Sequence, residues 1–331
     1  MRDLIERLRS NITSVYLGNT DAVDRLICCL IAKGHVLIED VPGVGKTVLA
    51  TALARSIDCS FSRIQLTPDM LPGDILGITI FNRNARANGH PNGHADAAPS
   101  DSTSAGVFEF KKGPIFANIV LADEINRTPP RTQTALLEAM NEGAVTVDGR
   151  THRLEQPFMI VATQNPDDFE GTYLLPENQL DRFLMRISLG YPSPNDELRV
   201  LSQRPAEHSL RELGSVMNGP DVLRLQQSVD DVRMERALLD YIITLANATR
   251  TSPELQLGIS PRGALALAQA ARATAVLAGR DYAVPEDITT NVIPVCAHRI
   301  ITKNYALAGR RASEAANAVL QRLMETVESP A

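Results

Sequence analysis

Tryptophan is absent from this 331-residue chain, and all aromatics together make up only 4% of it. A core built on stacked rings is therefore excluded, and Leu, Ile, Val and Ala must supply most of the packing. Cysteine is scarce as well. Cys28, Cys29, Cys59 and Cys296 lack the spacing of metal ligands and two of them are adjacent, so they read as inert thiols in a reducing cytoplasm. No run approaches the roughly 18 apolar residues needed to cross a bilayer. The opening "MRDLIERLRS" is charged and helical, without the apolar stretch of a secretory leader, and a cytoplasmic address is expected. Positive charge is not in excess either: the net charge of −6 argues against wholesale binding to nucleic acid.

What is present is alternation. "HVLIE" (35–39), "FSRIQL" (61–66), "NIVLA" (118–122), "FMIVAT" (158–163) and "FLMRISL" (183–189) are short apolar runs with little polar interruption. Such runs suit strands buried on both faces, hence a mostly parallel sheet covered by helices. Helices such as "KTVLATALARSI" and "PPRTQTALLEAMNEG" lie between them; the second is predicted to have Thr128 as cap, Pro129 in its first turn and Gly143 at its end. After the proline-bearing "YPSPNDE" (191–197) the pattern becomes mainly helical. The length suits two domains: an α/β domain over 1–191 and a smaller helical domain over 192–331.

Two segments interrupt the α/β part. "VTVDGRTHR" (145–153) carries Asp148-Gly149 between alternating residues, a strong β-hairpin signal. The stretch Ile78–Phe110 reads as paired strands, "ITIF" and "VFEF", joined by a polar, glycine-rich tip expected to be a mobile loop. His90 and His94 lie four apart in that tip, but no metal site is expected there, because only a fixed helix would hold both rings on one ion. Arg83 and Arg86 in one hairpin and Arg150 and Arg153 in the other are few cations for a nucleic-acid grip.

The chemistry-bearing positions begin with "DVPGVGKT" (40–47), a phosphate-loop pattern, G-x-x-x-x-G-K-[ST], with Asp40 in place of its first glycine. It follows a buried strand and opens a helix. Gly43 and Gly45 would let backbone N–H groups converge on phosphate oxygens, Lys46 would reach the β- and γ-phosphates, and Thr47 would ligate Mg²⁺. Asp40 is expected to turn its carboxylate outward, so that Asp40→Gly leaves ATP binding nearly intact. "NIVLADEINR" is a strand ending in two acids: Asp123 to hold Mg²⁺ through water, Glu124 to orient and deprotonate the attacking water. "FMIVATQNP" ends in Asn165, whose amide would reach the γ-phosphate or the lytic water; the plainer reading is a turn-forming Asn before Pro166. Arg182 in "ENQLDRF" would protrude toward a neighbour's nucleotide, or else pair with a nearby acid. Arg262 in "GISPRGALAL" follows a Ser260 cap and Pro261, where a cation opposes the helix dipole by roughly 0.3–1 kcal/mol and so calls for an anionic ligand.

These pieces in this order resemble the AAA+ ATPases, and "VLIEDVPGVGKTVLATALA", "QLTPDMLPGDILG", "KGPIFANIVLADEINRTPPRTQTALLEAMNEGAVTVDG", "VATQNP", "LPENQLDRFLMRI" and "SPRGALALAQAARATAVLAGRDYAVPEDI" are similar to the MoxR family within them. The resemblance covers residues 10 to 305 and tolerates an acid at position 40. It implies an α/β P-loop fold, an αβα core with a mostly parallel five-stranded sheet, followed by an all-helical lid. It makes Pro42, Gly43, Val44, Gly45, Lys46, Thr47 and Val48 the Walker A cradle for ATP, with Thr47 and Asp123 on Mg²⁺. Asp123 and Glu124 become Walker B, Asn165 sensor 1, Arg182 the arginine finger and Arg262 sensor 2. Tyr16 and Leu17 match a segment that approaches adenine. The hairpin at 144–154 corresponds to the pre-sensor 1 insertion and 78–110 to the helix 2 insertion, whose tip (82–106) is longer than usual for the family.

The resemblance further implies a homo-hexameric ring acting as a chaperone-like motor on protein clients. A partner with a von Willebrand factor A domain would be supplied in trans. Three alternatives stay open: the motor subunit of a magnesium chelatase, a DNA-dependent helicase-type motor, and a scaffold that binds ATP without turning it over.

Overall fold

A computed structural model describes residues 2–82, 107–165, 172–173, 175–203, 209–303 and 310–330. Arg83, Arg86, His90, His94 and Pro166 lie outside the described residues. The chain opens with α1 (Arg2–Val15), whose Ile5, Leu8, Ile12 and Val15 form one buried stripe. α2 (Thr20–Ile31) starts at Asn19, whose side chain accepts the Asp21 N–H. There follow β1 (Val36–Glu39), α3 (Lys46–Ser56), β2 (Phe61–Gln65), α4 (Pro72–Leu76) and a hairpin of β3 (Gly77–Asn82) with β4 (Val107–Lys112). Next come β5 (Ile119–Asp123), α5 (Pro130–Glu142), a second hairpin of β6 (Ala144–Val147) with β7 (Arg150–Arg153), β8 (Met159–Gln164), α6 (Glu177–Leu180) and β9 (Met185–Ile187).

The remainder holds α7 (Pro194–Gln203), α8 (Ser209–Glu212), α9 (Gly219–Asp230), α10 (Arg236–Thr251), β10 (Leu255–Leu257), α11 (Pro261–Leu277), α12 (Pro285–Cys296), β11 (Ile301–Thr302) and α13 (Arg310–Thr326). The lid was expected to be all helix; β10 and β11 add a short antiparallel ribbon to it.

The central sheet has the order β2-β5-β8-β1-β9, with every pairing parallel. Alternate residues of each strand serve opposite faces. Val36, Ile38, Ile119, Leu121, Met159 and Val161 join one apolar cluster with α1, α2 and α3. Leu37, Val120, Ala122, Ile160 and Ala162 join another with Leu136, Leu137, Ala139 and Met140 of α5. This is the αβα arrangement the apolar runs predict. The first cluster continues through α2 into α9, α10, α11 and α12. Polar ties follow the same route: Gln226 Nε2 donates to the Leu30 carbonyl at 2.8 Å, and Lys33 pairs with Asp230 at 2.6 Å.

Because all five strands run the same way, their C-terminal ends share one edge of the sheet. β8, late in sequence, lies between β5 and β1, so the loops after β1 and β5 diverge over its end. Ligands of open parallel sheets bind at such a switch point.

Two local readings turn out differently from each other. Asp148 and Gly149 have φ of +50° and +74°, the pair of left-handed residues that a tight hairpin turn requires. The start of α5, in contrast, is displaced by one residue. Pro129 is its extended N-cap (φ −60°, ψ 153°), helical residues begin at Pro130, and the Thr128 hydroxyl is buried with no partner among the described residues. Tandem proline is the cause: a residue before proline is pushed out of the helical region, so Pro129 cannot lead the helix.

The two hairpins meet where Phe110 stacks on His152, ring centroids 4.1 Å apart, with Phe116 edge-on to Phe110. Cys28 and Cys296 are buried, and burial pushes both thiols up to about 12. Among the described residues no helix is long and apolar enough to cross a membrane.

Candidate functional site

The loop between β1 and α3 bends through Gly43 and Gly45, at φ of +87° and +94°. These angles, rather than crowding, call for glycine at position 43: no atom lies within 4 Å of where a Cβ would sit there. α3 starts at Gly45 with no side-chain cap, so the first-turn N–H groups remain open at the positive end of the helix. The buried Tyr16 ring supports the loop from beneath, and a Cβ on Gly45 would come within 3.3 Å of it. Burial, helped by the charge of Asp40, pushes the Tyr16 hydroxyl up to about 12. Leu17 is buried beside it.

Lys46 Nζ donates to the Gln164 carbonyl at 3.1 Å and to the Asp40 carbonyl. Burial holds the ammonium pKa below its ordinary value, against the opposing pull of Asp40, Asp123, Glu124 and Glu39. Thr47 and Val48 follow, half-buried, in the first turn of α3.

The two acids stand across β8 from this loop. Asp123 Oδ1 accepts the Thr163 hydroxyl at 2.6 Å, and its Oδ2 pairs with Arg63 at 2.7 Å. Glu124 is left-handed (φ 58°, ψ 54°), and its N–H donates to the same Thr163 Oγ1 at 2.9 Å. A non-glycine residue held there costs about 1 kcal/mol or more, and such strain gathers at functional sites. The twist breaks strand alternation, so consecutive carboxylates both face the sheet edge. Glu124 Oε2 accepts Gln65 Nε2 at 3.0 Å and faces Arg127 Nε at 3.3 Å. Asn165 lies just beyond β8, between loop and acids, and its carbonyl accepts Asn126 Nδ2 at 3.3 Å.

Asp40 faces the other way. Its Oδ2 accepts the Ser188 hydroxyl at 2.8 Å and the N–H groups of Leu189 and Gly190 at 2.8 and 2.7 Å; Oδ1 accepts Val41 N–H at 2.8 Å. Burial pushes the carboxyl up, but these four bonds outweigh it and hold the pKa below the usual value. The preceding Glu39 is a second hub. Oε1 accepts Gln164 Nε2 at 2.7 Å, while Oε2 takes Arg186 at 3.2 Å and the Ser313 hydroxyl of α13 at 3.1 Å.

The arginines gather elsewhere. Arg182 does not protrude from this chain, contrary to expectation. It is half-buried, Nη1 donates to the Leu137 carbonyl at 2.6 Å, and Nε is buried with no acceptor among the described residues. Among the described residues no acid pairs with it. Leu137 lies within α5, toward its negative C-terminal half, so its carbonyl accepts Arg182 as a second donor. Arg262 follows the Ser260 cap, whose Oγ accepts Gly263 N–H at 3.0 Å. Its Nη2 reaches Asn141 Oδ1 at 2.7 Å, also on α5, and its Nε lies 3.9 Å from Asp181. Both guanidiniums thus contact α5 rather than the phosphate loop.

Sequence reasoning missed several participants. Arg63 and Gln65 are two apart on β2, hence on one face, and the register Gln65↔Asp123 brings that face to the acids. That signal needs the strand order. Arg299 had no signal in its local string. Its side chain is 3% exposed, and it donates to Asp181 Oδ1 at 2.7 Å and to the carbonyls of Phe183 and Leu184 at 2.7 and 3.2 Å.

Comparison with known proteins places this geometry among relatives. Residues 35–185 match the ATPase family associated with various cellular activities (AAA), and residues 247–322 match the AAA lid domain. The chain is 44% identical to the uncharacterized protein YeaC of Bacillus subtilis, covering 100% of this chain and 96% of that protein. It is 36% identical to the chaperone MoxR1 of Mycobacterium tuberculosis, covering 98% of this chain and 82% of the relative. A solved structure from Cytophaga hutchinsonii, described as a candidate ATPase, superposes with a TM-score of 0.83 at 34% identity, covering 100% of this chain and 96% of that one.

Proposed function

Because the chain belongs to the MoxR family of AAA+ ATPases, we propose that it hydrolyses ATP at the loop after β1 and spends the free energy remodelling or maturing partner proteins. One observation carries the reading: an uncapped helix start, an ammonium and the Asp123 carboxylate meet around the end of β8, where Thr163 also fixes the backbone of Glu124, whose carboxylate rests on Gln65 next door. The donors fit a triphosphate with Mg²⁺. N–H groups and Lys46 suit phosphate oxygens, while the Thr47 hydroxyl and Asp123 carboxylate are the hard oxygen ligands that Mg²⁺ takes. Bound Mg²⁺ would neutralise charge on the phosphates.

In this reading Pro42 to Val48 cradle the phosphates, and Tyr16 and Leu17 flank the adenine end. Lys46 exchanges the carbonyls of Asp40 and Gln164 for phosphate oxygens. Thr163 fixes Asp123 for the metal and sets the amide of Glu124. Glu124 takes a proton from the attacking water, with Gln65 and Arg127 holding its carboxylate until then. Asn165 orients that water. Arg182 serves the site of the next subunit in a homo-hexameric ring, and Arg262 closes from the lid of its own subunit. Residues 1–191 form the nucleotide-binding unit and 192–331 the lid. The ring works in the cytoplasm on protein clients, with a partner bearing a von Willebrand factor A domain.

Substituting Glu124→Gln tests the chemistry. Turnover should fall by about 100-fold or more, the usual range for a general base, while Mg-ATP still binds. Wild-type turnover per subunit should rise with protein concentration, since the ring completes the site. A Glu124→Gln protein as fast as the wild type would sink the mechanism.

A further inference from the structure

We propose that Asp40 is a positioning residue that ties the phosphate loop to the chain's exit from β9, so that the loop and the segment 188–190 move as one body. The role of that tie in turnover rests on the ATPase reading above; the tie itself does not.

An acid at this position needs a reason. The backbone does not demand glycine here, since among the described residues those other than glycine with positive φ are Lys33, Asp58, Glu124 and Asp148, and Asp40 is not one of them. Nor does Asp40 face the cradle. One of its oxygens is engaged by three donors from consecutive residues, Ser188 Oγ, Leu189 N and Gly190 N, just after β9 ends at Ile187. Successive N–H groups of an extended strand point to opposite sides, so their convergence on one oxygen marks a made anion seat, filled here by the chain's own carboxylate. The backbone of the same residue accepts the ammonium of Lys46. Asp40 is therefore held by the loop's lysine through its carbonyl and holds the β9 exit through its side chain.

The neighbouring ties show what this joint transmits to. Glu39, one residue earlier, binds Arg186 within β9 and Ser313 of α13. At the other end of β9, Arg299 grips Asp181, Phe183 and Leu184, the residues around Arg182. Only three residues, Met185–Ile187, form the strand itself, about 10 Å of stiff backbone. A loop that shifts on binding nucleotide pulls one end of a short rod whose other end carries Arg182. Losing the tie should spare affinity and cost turnover.

The experiment compares wild type with Ser188→Ala, Asp40→Asn and Asp40→Gly, which remove one donor, the charge, and the whole acceptor. Three readouts are needed: affinity for a fluorescent ADP analogue with Mg²⁺, the split between KM and kcat for ATP, and amide hydrogen exchange at Leu189 and Gly190. Charge-assisted hydrogen bonds are worth enough that exchange at those amides should quicken by about tenfold or more in both Asp40 variants. Affinity should stay within about threefold, and kcat should fall by about tenfold, with Ser188→Ala showing a smaller change of the same kind.

Unchanged exchange at Leu189 and Gly190 would overturn the tie, whatever happens to turnover. Faster exchange with unchanged kcat would overturn its role in turnover. A loss of affinity near that of Lys46→Ala, without faster exchange, would mean that Asp40 serves the ligand directly and would overturn the proposal. If the Asp40 variants fail to fold, Ser188→Ala and the protection of the two wild-type amides decide. If wild type neither binds nor hydrolyses ATP, the ATPase reading fails while the exchange data still judge the tie.

Discussion

At the shared edge of β1, β5 and β8, the side chains singled out by motif face a common space; at the end of α5, the two singled-out arginines face the chain's own acceptors. Lys46, Asp123 and Glu124 are aimed by backbone that has no other choice: left-handed glycines, a left-handed Glu124, and parallel strands ending together. Arg182 and Arg262 are aimed by local electrostatics, toward Leu137 and Asn141 near the negative end of a helix. Such attraction is worth about 0.3–1 kcal/mol at an exposed site. A triphosphate offers far more charge, so these positions are ones a ligand can win. Under the proposed function, groups whose task lies within the subunit are preset, and groups whose task needs a lid or a neighbour are parked.

The largest expected effect tests the parked state of Arg182. Arg182→Ala should lower turnover by about 10³-fold or more if the guanidinium serves a neighbour. Mixing that variant with Glu124→Gln, itself inactive, should restore turnover at mixed interfaces, where one subunit supplies Glu124 and the next supplies Arg182. If Arg182 only braces the Leu137 carbonyl, the loss is one hydrogen bond, about 1 kcal/mol of stability, and mixing restores nothing.

This contrast also marks what could be read in the sequence. The glycine loop and the strand-terminal acids were legible because each is a local backbone requirement written in adjacent residues. Thr163, Arg63 and Gln65 were not, because they meet the acids only through the order β2-β5-β8. The place of Arg182 was legible, ahead of β9, but its direction was not, since Leu137 is 45 residues away in the chain. Arg299 sits in the unremarkable string "CAHRII", where nothing shows that folding buries it against Asp181.

Arg299 and Arg262 share that acid from opposite sides, which sharpens the comparison. Arg299→Ala removes a buried guanidinium from Asp181 and from the carbonyls of Asp181, Phe183, Leu184 and Val295, and should cost about 3–5 kcal/mol of stability, read by urea unfolding. Arg262, with its side chain 51% exposed, should cost less than about 1 kcal/mol when replaced by Ala, yet weaken nucleotide binding. Equal stability losses would show that Arg262 is structural.

The two regions are also joined by a titratable link. His35 accepts Ile160 N–H of β8 on Nδ1 at 2.9 Å and donates from Nε2 to the Met140 carbonyl of α5 at 3.1 Å, the neutral tautomer these partners require. Burial lowers its pKa to about 4. A depressed histidine stabilises the fold fully above its unfolded value of about 6.5 and loses that contribution as pH falls toward the folded value. About 3 kcal/mol should therefore disappear between pH 6.5 and 4 from this residue, seen as a falling urea midpoint. His298, also buried and lowered, adds in the same direction. A midpoint that rises with acid would contradict the link.

The smallest effect belongs to Gln65. Its amide holds the Glu124 carboxylate at 3.0 Å, on the side of β2 away from the phosphate loop, and Arg127 holds the same oxygen at 3.3 Å. An amide hydrogen bond to a half-exposed carboxylate is charge-assisted but screened by water, worth about 1 kcal/mol, so releasing it should shift the population of freed Glu124 several-fold at most. Gln65→Ala should accordingly raise basal turnover by about threefold with ATP affinity unchanged, because no phosphate donor is touched. Turnover that drops as far as in Glu124→Gln would mean that Gln65 aims the carboxylate rather than restrains it. The phosphate-loop side would then be preset even in its last hydrogen bond, and parking would be a property of the arginines alone.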